Sequence, residues 1–291
     1  MRRVAWLALL ALALPAQAQF GGIDIGKALD IGKRVVKGTE ASRELTQEQE
    51  IALGEAATAS FLGASPLHRD ENLQRYVNRV GRWLALHSER PDLPWSFGVL
   101  DTETINAFAL PGGSIVVSNG LMKRLASESE LAGVLAHEIA HVVKRHQVMA
   151  LQSSASGSFW ASLGKDVASE AISRRGGGAL AQQARSWASG VVVDLIKDGF
   201  FLRPLDRSME HEADQLAIVI ATRSGYDPYG LVAALQMLAQ YRGDADAASV
   251  FSTHPPAAER MAELERFLPT VERYAGNPRL EGRYREVVGP R

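Results

Sequence analysis

The chain of 291 residues contains no cysteine, and this absence removes several kinds of chemistry at once. Thiol catalysis, thiolate metal sites and disulfide frameworks are excluded, so any metal must be held by His, Asp or Glu. A lipid-bearing cysteine is absent as well, so we do not expect a lipoprotein. At this length one core can bury enough surface to fold without disulfides.

The chain also lacks an excess of charge of either sign, and it lacks long apolar runs. It has 32 basic and 33 acidic residues, a formal net charge of −1. Because no basic excess is available for a phosphate backbone, we do not expect nucleic acid among its partners. Beyond the N-terminal segment, no stretch reaches the roughly 18 consecutive apolar residues of a membrane helix.

The first 18 residues have the pattern of a secretory signal peptide. Two arginines at positions 2 and 3 precede an apolar run over 4–14, and an Ala-Gln-Ala sequence ends at Ala18. An uncleaved membrane anchor is the alternative, but this run is short for a bilayer. We therefore expect an exported, soluble protein, periplasmic if the cell is Gram-negative.

Composition and periodicity divide the chain into four segments. We expect a signal peptide over 1–18, an N-terminal helical arm over 19–44, a main domain over 45–271 and a polar C-terminal tail over 272–291. Within the main domain, residues 152–200 begin with a stretch rich in Ser, Ala and Gly, which indicates a lid or insert.

Helical periodicity dominates the main domain, and one stretch alternates instead. Apolar spacing and capping residues predict helices from about 46, over 71–86, 127–151 and 207–223, and after Pro228 and Pro255. The alternation between Trp95 and Ser118 predicts three strands, which we interpret as a small antiparallel sheet. The predicted fold class is therefore α+β and mainly α-helical.

The segment 137–141 reads His-Glu-Ile-Ala-His and fits the H-E-x-x-H pattern, inside the helix predicted over 127–151. Because residues four apart lie on nearly the same helix face, His137 and His141 can bind one zinc ion. Glu138 lies about 100° around the helix, where it can act as a general base on water. Solvated surface histidines are the alternative, but the apolar residues around them predict a packed helix.

A catalytic zinc site needs a third protein ligand. The metzincin spacing is excluded, because Lys144 and Gln147 stand where it requires Gly and His. His146 would point away from the metal in a continuous helix, so we expect it either on the helix surface or behind a ligand.

A carboxylate from a second helix is the remaining solution. Glu210 and Asp214 lie four residues apart on one face, so Glu210 can ligate while Asp214 accepts a hydrogen bond from a ligand histidine. Glu170 is the competing ligand, but Arg174 four residues later leaves it without a matching carboxylate.

Three motifs occur in order and carry a family resemblance: Asn-Ala-Phe-Ala-Leu-Pro-Gly-Gly over 106–113, the 137–141 motif followed by Val-Val-Lys-Arg-His, and Glu-x-Glu-Ala-Asp over 210–214. In this combination the chain resembles, over about 45–267, the zinc metallopeptidase superfamily of the CAAX prenyl proteases, HtpX and BepA. It is similar to soluble exported members, without transmembrane helices or tetratricopeptide repeats.

The resemblance implies a gluzincin-like zincin fold and one Zn²⁺ per chain, held by His137, His141 and Glu210. It implies Glu138 as the catalytic base and Asp214 as the residue behind a ligand histidine. The edge strand of the sheet would border the active site and bind extended substrate, through the following residues: Asn106, Ala107, Phe108 and Ala109. An edge strand that only builds the sheet is the alternative.

A Ser-Thr-His-Pro segment over 252–255, with Arg260 six residues after its histidine, also matches the superfamily. We expect His254 to donate to the oxyanion or to ligate zinc at rest, and an N-terminal helix cap is the alternative. Arg207 stands seven residues before Asp214 and can pair with a site carboxylate, or be a surface charge.

The expected function is a zinc-dependent endopeptidase that acts on unfolded or misassembled proteins of the cell envelope, with outer-membrane assembly machinery as a possible partner. The alternative is a zinc-dependent chaperone or assembly factor for outer-membrane proteins with little proteolysis. A prenyl-protein processing enzyme is disfavoured, because no membrane-spanning chamber is visible in the sequence.

Overall fold

The computed structural model of the protein describes residues 47–154, 204–241 and 243–289. The predicted signal peptide, the predicted arm and almost all of the predicted lid, Glu170 included, lie outside these residues. In chain order the elements are α1 Gln47–Ala64, α2 Glu71–Leu86, β1 Ser96–Leu100, β2 Ala107–Leu110, β3 Ser114–Ser118, α3 Asn119–Met122, α4 Glu128–Val143, α5 His146–Ser154, α6 Arg207–Arg223, α7 Gly230–Gln240, α8 Ala248–Thr253, α9 Ala257–Glu265 and α10 Glu281–Val288.

The three strands form a mixed sheet in the order β1-β3-β2. Strand β2 runs antiparallel to β3, with Phe108 opposite Val116, whereas β1 runs parallel to β3, with Phe97 beside Ile115. The α+β, mainly helical class is confirmed, but the expectation of an antiparallel sheet is wrong for β1. The alternation of apolar and polar residues indicates which face of a strand is buried, but it does not indicate whether the neighbouring strand runs parallel or antiparallel.

A tight turn over 111–113 joins β2 to β3 and fixes how α1 packs. Gly112 and Gly113 have φ of 76° and 107°, in the left-handed region that favours glycine. Helix α1 approaches so closely that a Cβ on Gly54 would lie 1.7 Å from the carbonyl oxygen of Pro111. This contact holds α1 against the hairpin that carries the edge strand β2.

Helix α4 lies at the centre of the molecule, and Glu128 through Val142 are all buried. Its start is the predicted capping box: Ser127 Oγ accepts a hydrogen bond from Glu130 N at 3.2 Å, and the Glu130 carboxylate accepts one from Ala126 N at 2.7 Å. Helices α6 and α7 pack along its sides, and β2 lies against it. The residues of the 137–141 motif are therefore held inside the core.

A buried carboxylate ties the first residue of α4 to distant parts of the chain. Glu128 accepts hydrogen bonds from the hydroxyls of Tyr76 at 2.7 Å and Tyr226 at 2.8 Å, and pairs with Arg283 of α10. Burial and the neighbouring Glu128 raise the pKa of both tyrosines well above their usual range. The described part of the segment predicted as a polar tail, residues 272–289, is therefore attached to the domain, and its Tyr284 is buried.

Helix α4 ends at Val143, although periodicity predicts one helix to about residue 151. The continuous helix is a wrong expectation: Arg145 has φ of 59°, and α5 starts at His146. Partners far along the chain hold this break, because Arg145 Nε lies 3.1 Å from a Glu50 carboxylate oxygen and Arg90 donates to the carbonyl of Val142 at 3.0 Å. A local pattern does not report such contacts.

Among the described helices, none combines the length with the apolar character that crossing a membrane requires.

Candidate metal centre and active site

Four potential metal donors converge from three parts of the fold. His137 and His141 come from α4, Glu210 from the first turn of α6, and His254 from the residue that follows α8. One ligand atom from each lies within 4.8 Å of those of the other three, and the two α4 histidines and Glu210 are buried. Helix spacing explains the first two, since residues four apart face the same way.

These residues fit a zinc ion. The Nε2 atoms of His137 and His141 lie 3.0 Å apart, and each lies 3.6 Å from a carboxylate oxygen of Glu210. Around a tetrahedral zinc with bonds of about 2.0–2.2 Å, donor atoms lie about 3.3–3.6 Å apart. Glu210 Oε1 is buried and accepts no hydrogen bond from the described residues. Such an atom needs a partner, and a cation would supply it.

Asp214, one turn after Glu210, lies behind His137. Its Oδ1 is 2.9 Å from His137 Nδ1, so the ring is held with Nε2 turned toward the other donors. Arg260 of α9 donates two hydrogen bonds to the same carboxylate, from Nη2 to Oδ1 at 2.5 Å and from Nε to Oδ2 at 2.9 Å. Both side chains are buried, and this bidentate geometry is the strongest arrangement of such a pair.

The surrounding charges keep both carboxylates ionised. Burial opposes the ionisation of Asp214, but the charge and hydrogen bonds of Arg260 outweigh it and hold the pKa of Asp214 below its usual range. Burial also opposes the ionisation of Glu210, and His254, His137 and His141 together hold its pKa far below the usual range. The cluster therefore offers an anionic ligand to a cation.

The two α4 histidines differ in their affinity for protons in the metal-free protein. Burial and the Arg260 charge lower the pKa of His137, but Asp214 and Glu210 outweigh them and raise it to about 9. Burial, followed by the charge of His137, holds the pKa of His141 well below its usual range. A metal that binds here must therefore displace a proton from His137.

Glu138 is buried beside this cluster and faces a small cavity. The cavity has a largely apolar lining, and its polar lining residues are the following: Asn106, His137, Glu138, His254 and Arg260. Burial raises the pKa of Glu138, which makes its carboxylate a stronger base. A group so placed can exchange protons with a molecule that enters from this side.

The structure brings His254 into the site and leaves Arg207 outside it. His254 Nδ1 lies 2.8 Å from Glu210 Oε2, and the side chain does not cap α9, whose N-cap is Pro256 without a side-chain hydrogen bond. Arg207 pairs at 2.9 Å with Glu259, so the expected pairing with a site carboxylate is not found. Arg260 takes that role, because it reaches the site from α9.

His146 lies behind His141, the second of the two positions predicted for it. The helix break turns its ring inward, and it is fully buried with Nδ1 at 3.0 Å from the Nδ1 of His141. The role of Arg260 was missed in the sequence, where only its spacing from His254 gave a signal.

Strand β2 is one of the two outer strands of the sheet that the described residues form, and its first residue lies next to the site. Asn106 and Ala107 line the cavity that Glu138 faces. Phe108 instead packs on Phe61, with ring centroids 5.3 Å apart, and Ala109 is buried. Of the four residues predicted to bind substrate, two therefore lie at the cavity.

Comparison with known protein families identifies the chain. The family model described as Peptidase family M48 matches residues 69–268, which include all four donors, Glu138 and Arg260. The chain belongs to peptidase family M48. Metallopeptidases of this family use zinc, in agreement with the donor set.

Individual M48 relatives match over most of this chain. The "Beta-barrel assembly-enhancing protease" of Escherichia coli (strain K12) is 31% identical over 230 residues, 78% of this chain and 45% of the relative. The "Putative beta-barrel assembly-enhancing protease" of Vibrio cholerae is 29% identical over 265 residues, 90% of this chain and 51% of the relative. The "Mitochondrial metalloendopeptidase OMA1" of Schizosaccharomyces pombe is 29% identical over 201 residues, 68% and 53%. The chain thus spans about half the length of these relatives.

Proposed function

We propose that this chain is a zinc-dependent endopeptidase that hydrolyses peptide bonds in unfolded or misassembled proteins of the cell envelope. The observation that carries the proposal is the convergence of His137, His141, Glu210 and His254, with the buried Glu138 beside them. The match to peptidase family M48 supports the reaction class.

In the proposed reaction His137, His141 and Glu210 hold the metal. When bound, zinc would polarise the scissile carbonyl and lower the pKa of a water molecule. Glu138 takes up the proton of the attacking water on its carboxylate and later delivers a proton to the leaving amine. Its elevated pKa suits both steps, because the group must accept a proton and release it again.

Other residues of the site position these groups. Asp214 accepts the Nδ1 hydrogen of His137 and is itself fixed by Arg260, so the ligand ring cannot rotate freely. His254 lies close enough to act as a fourth donor at rest, or to donate a hydrogen bond to the oxyanion that develops on the substrate. Strand β2, together with Asn106 just before it, offers an edge along which an extended peptide can pair.

The envelope as the location is supported by the leader pattern over 1–18 and by the names of the relatives. Two relatives are named for enhancing β-barrel assembly, so unfolded outer-membrane proteins and their assembly machinery are the proposed substrates and partners. We place the mature protein in the periplasm.

The test compares Glu138→Gln with the wild-type full chain. Glu138→Gln should keep one zinc per chain by elemental analysis and lose cleavage of unfolded casein by at least about 100-fold, because only the proton acceptor is removed. Glu210→Ala should lose the zinc. Glu103→Gln, which alters an exposed carboxylate that pairs with Lys123, is the matched control and should cleave normally.

Two outcomes contradict the proposal. Retained cleavage in Glu138→Gln would refute the assigned base. A wild-type protein that binds zinc and cleaves neither casein nor unfolded envelope proteins, while still protecting a client from aggregation, would favour the chaperone function.

A further inference from the structure

A chain of hydrogen-bonding side chains leads from the ligand His141 to the protein surface. Nδ1 of His141 lies 3.0 Å from Nδ1 of His146, and Nε2 of His146 lies 3.3 Å from Oε2 of Glu212. Lys144 Nζ lies 2.6 Å from the other oxygen of Glu212. The side chains of Glu212 and Lys144 are 48% and 40% exposed, whereas both histidines are buried.

The chemistry of these groups fixes the direction of the hydrogens when a metal is bound. His141 uses Nε2 as its ligand atom, so its hydrogen is on Nδ1 and is donated to Nδ1 of His146. His146 therefore carries its own hydrogen on Nε2, which faces Glu212. The carboxylate is an acceptor only, so each donor along the chain meets an acceptor.

The backbone is bent to make this contact. In a continuous helix, His146 would lie about 140° away from His141 around the axis. The left-handed conformation of Arg145, with φ of 59°, is rare outside glycine and starts α5 in a new direction at His146. Arg145 is held there by Glu50 at 3.1 Å. The inward position of His146 is thus built into the fold.

The two ligand histidines are supported by unlike partners. Behind His137 stands the buried ion pair of Asp214 and Arg260. Behind His141 stands the ring of His146, and the carboxylate of Glu212 follows one step further out, at the surface. Outer partners of this kind fix the tautomer and the orientation of a metal ligand, and raise its affinity for the metal.

We propose that His146 is a positioning residue for the zinc ligand His141, and that Glu212 holds the His146 ring in place. The affinity for zinc then depends on the hydrogen bonds from His141 to His146 and from His146 to Glu212, although Glu212 lies at the protein surface. The proposal rests on the zinc site of the proposed function and on nothing about substrate or catalysis.

The test measures the zinc dissociation constant of the full chain by competition with a chromophoric chelator. His146→Leu keeps the apolar bulk and removes the acceptor, so zinc should bind about 10–100-fold more weakly. His146→Asn places an acceptor oxygen where the ring nitrogen stood and should restore near wild-type affinity. His211→Leu is the control, because it removes a histidine next to Glu212 in the sequence whose Nε2 instead lies 4.0 Å from Glu259 Oε1. This variant should bind zinc as the wild type does.

Wild-type affinity in His146→Leu, or equal weakening in His146→Leu and His146→Asn, overturns the proposal. If His146→Leu does not fold, the half-exposed Glu212 gives the second test: Glu212→Leu should weaken zinc binding and Glu212→Gln should restore it, and no difference between these two also overturns the proposal. Because zinc affinity is measured without substrate, a wild-type protein that cleaves nothing leaves this test unaffected.

Discussion

Replacing Arg260 by leucine should lower the unfolding free energy of the metal-free protein by about 3–5 kcal/mol. Arg260 makes two hydrogen bonds to the buried carboxylate of Asp214, and its own side chain is only 5% exposed. A hydrogen bond to a charged group contributes about 1.5–3 kcal/mol, so two of them account for a loss of this size. In this variant the buried carboxylate of Asp214 loses both hydrogen bonds from Arg260 and keeps the His137 ring as its neighbour, at 2.9 Å.

Urea unfolding in the presence of a chelator measures this loss without a contribution from metal binding. Arg207→Leu is the matched control, because Arg207 pairs with Glu259 at 2.9 Å, the same length as one Arg260 bond, but is 73% exposed. An exposed pair contributes about 0–1 kcal/mol, so the control should remain near wild type. Distance is matched in this comparison and burial is the variable.

A double variant separates the ion pair from simple loss of packing. Arg260→Leu with Asp214→Leu removes both charges, so it should be less destabilised than the sum of the two single variants. Strictly additive losses, or an Arg260→Leu variant as stable as Arg207→Leu, would refute the reasoning that a buried, desolvated pair holds His137 in place.

Three other perturbations test separate parts of the molecule. The pKa values of Tyr76 and Tyr226 are raised in the folded protein, so their contribution to the unfolding free energy is complete below the usual tyrosine pKa of about 10 and declines as the pH rises above it. Urea unfolding from pH 8 to 11 should show this decline, and replacing both tyrosines by phenylalanine should abolish it. The same dependence of the unfolding free energy on pH in the double variant would contradict the prediction. Gly54→Ala should lower the unfolding free energy by about 1–3 kcal/mol, because the added Cβ would clash with the turn after β2. At Gly63 a Cβ meets open space, so Gly63→Ala should raise the unfolding free energy by up to about 1 kcal/mol. Equal shifts in melting temperature for the two variants would contradict this contrast. Zinc at 100 times its dissociation constant should add about 2.7 kcal/mol of stability, so a melting temperature that chelation leaves unchanged would argue against a bound metal.

Local patterns predict those parts of the molecule in which the determining contacts are local. The start of α4 follows from Ser127 and Glu130, three residues apart, and the two histidines of the motif share a face because they are four apart. Glu210 and Asp214 are predictable for the same reason, although the sequence offers two helices for the third ligand.

Contacts between distant segments account for what the sequence does not predict. The parallel alignment of β1 with β3 depends on how the hairpin folds back, and strand periodicity is the same for either neighbour. The break at Arg145 depends on Glu50 of α1, almost 100 residues earlier in the chain. The choice between Arg207 and Arg260 depends on how α9 packs against α6, since each arginine lies near a site residue in the sequence.

The attachment of α10 to the first residue of α4 has a consequence for the order in which the chain is made. Glu128 and Arg283 are separated by 155 residues, so a ribosome that adds about 5–20 residues per second needs roughly 8–30 s to supply the arginine after the glutamate. Late in that interval the nascent chain already contains all four metal donors, up to His254, but it still lacks Arg283, the cationic partner of the buried Glu128. The ion pair that joins α10 to the first residue of α4 can therefore form only after translation has passed Arg283.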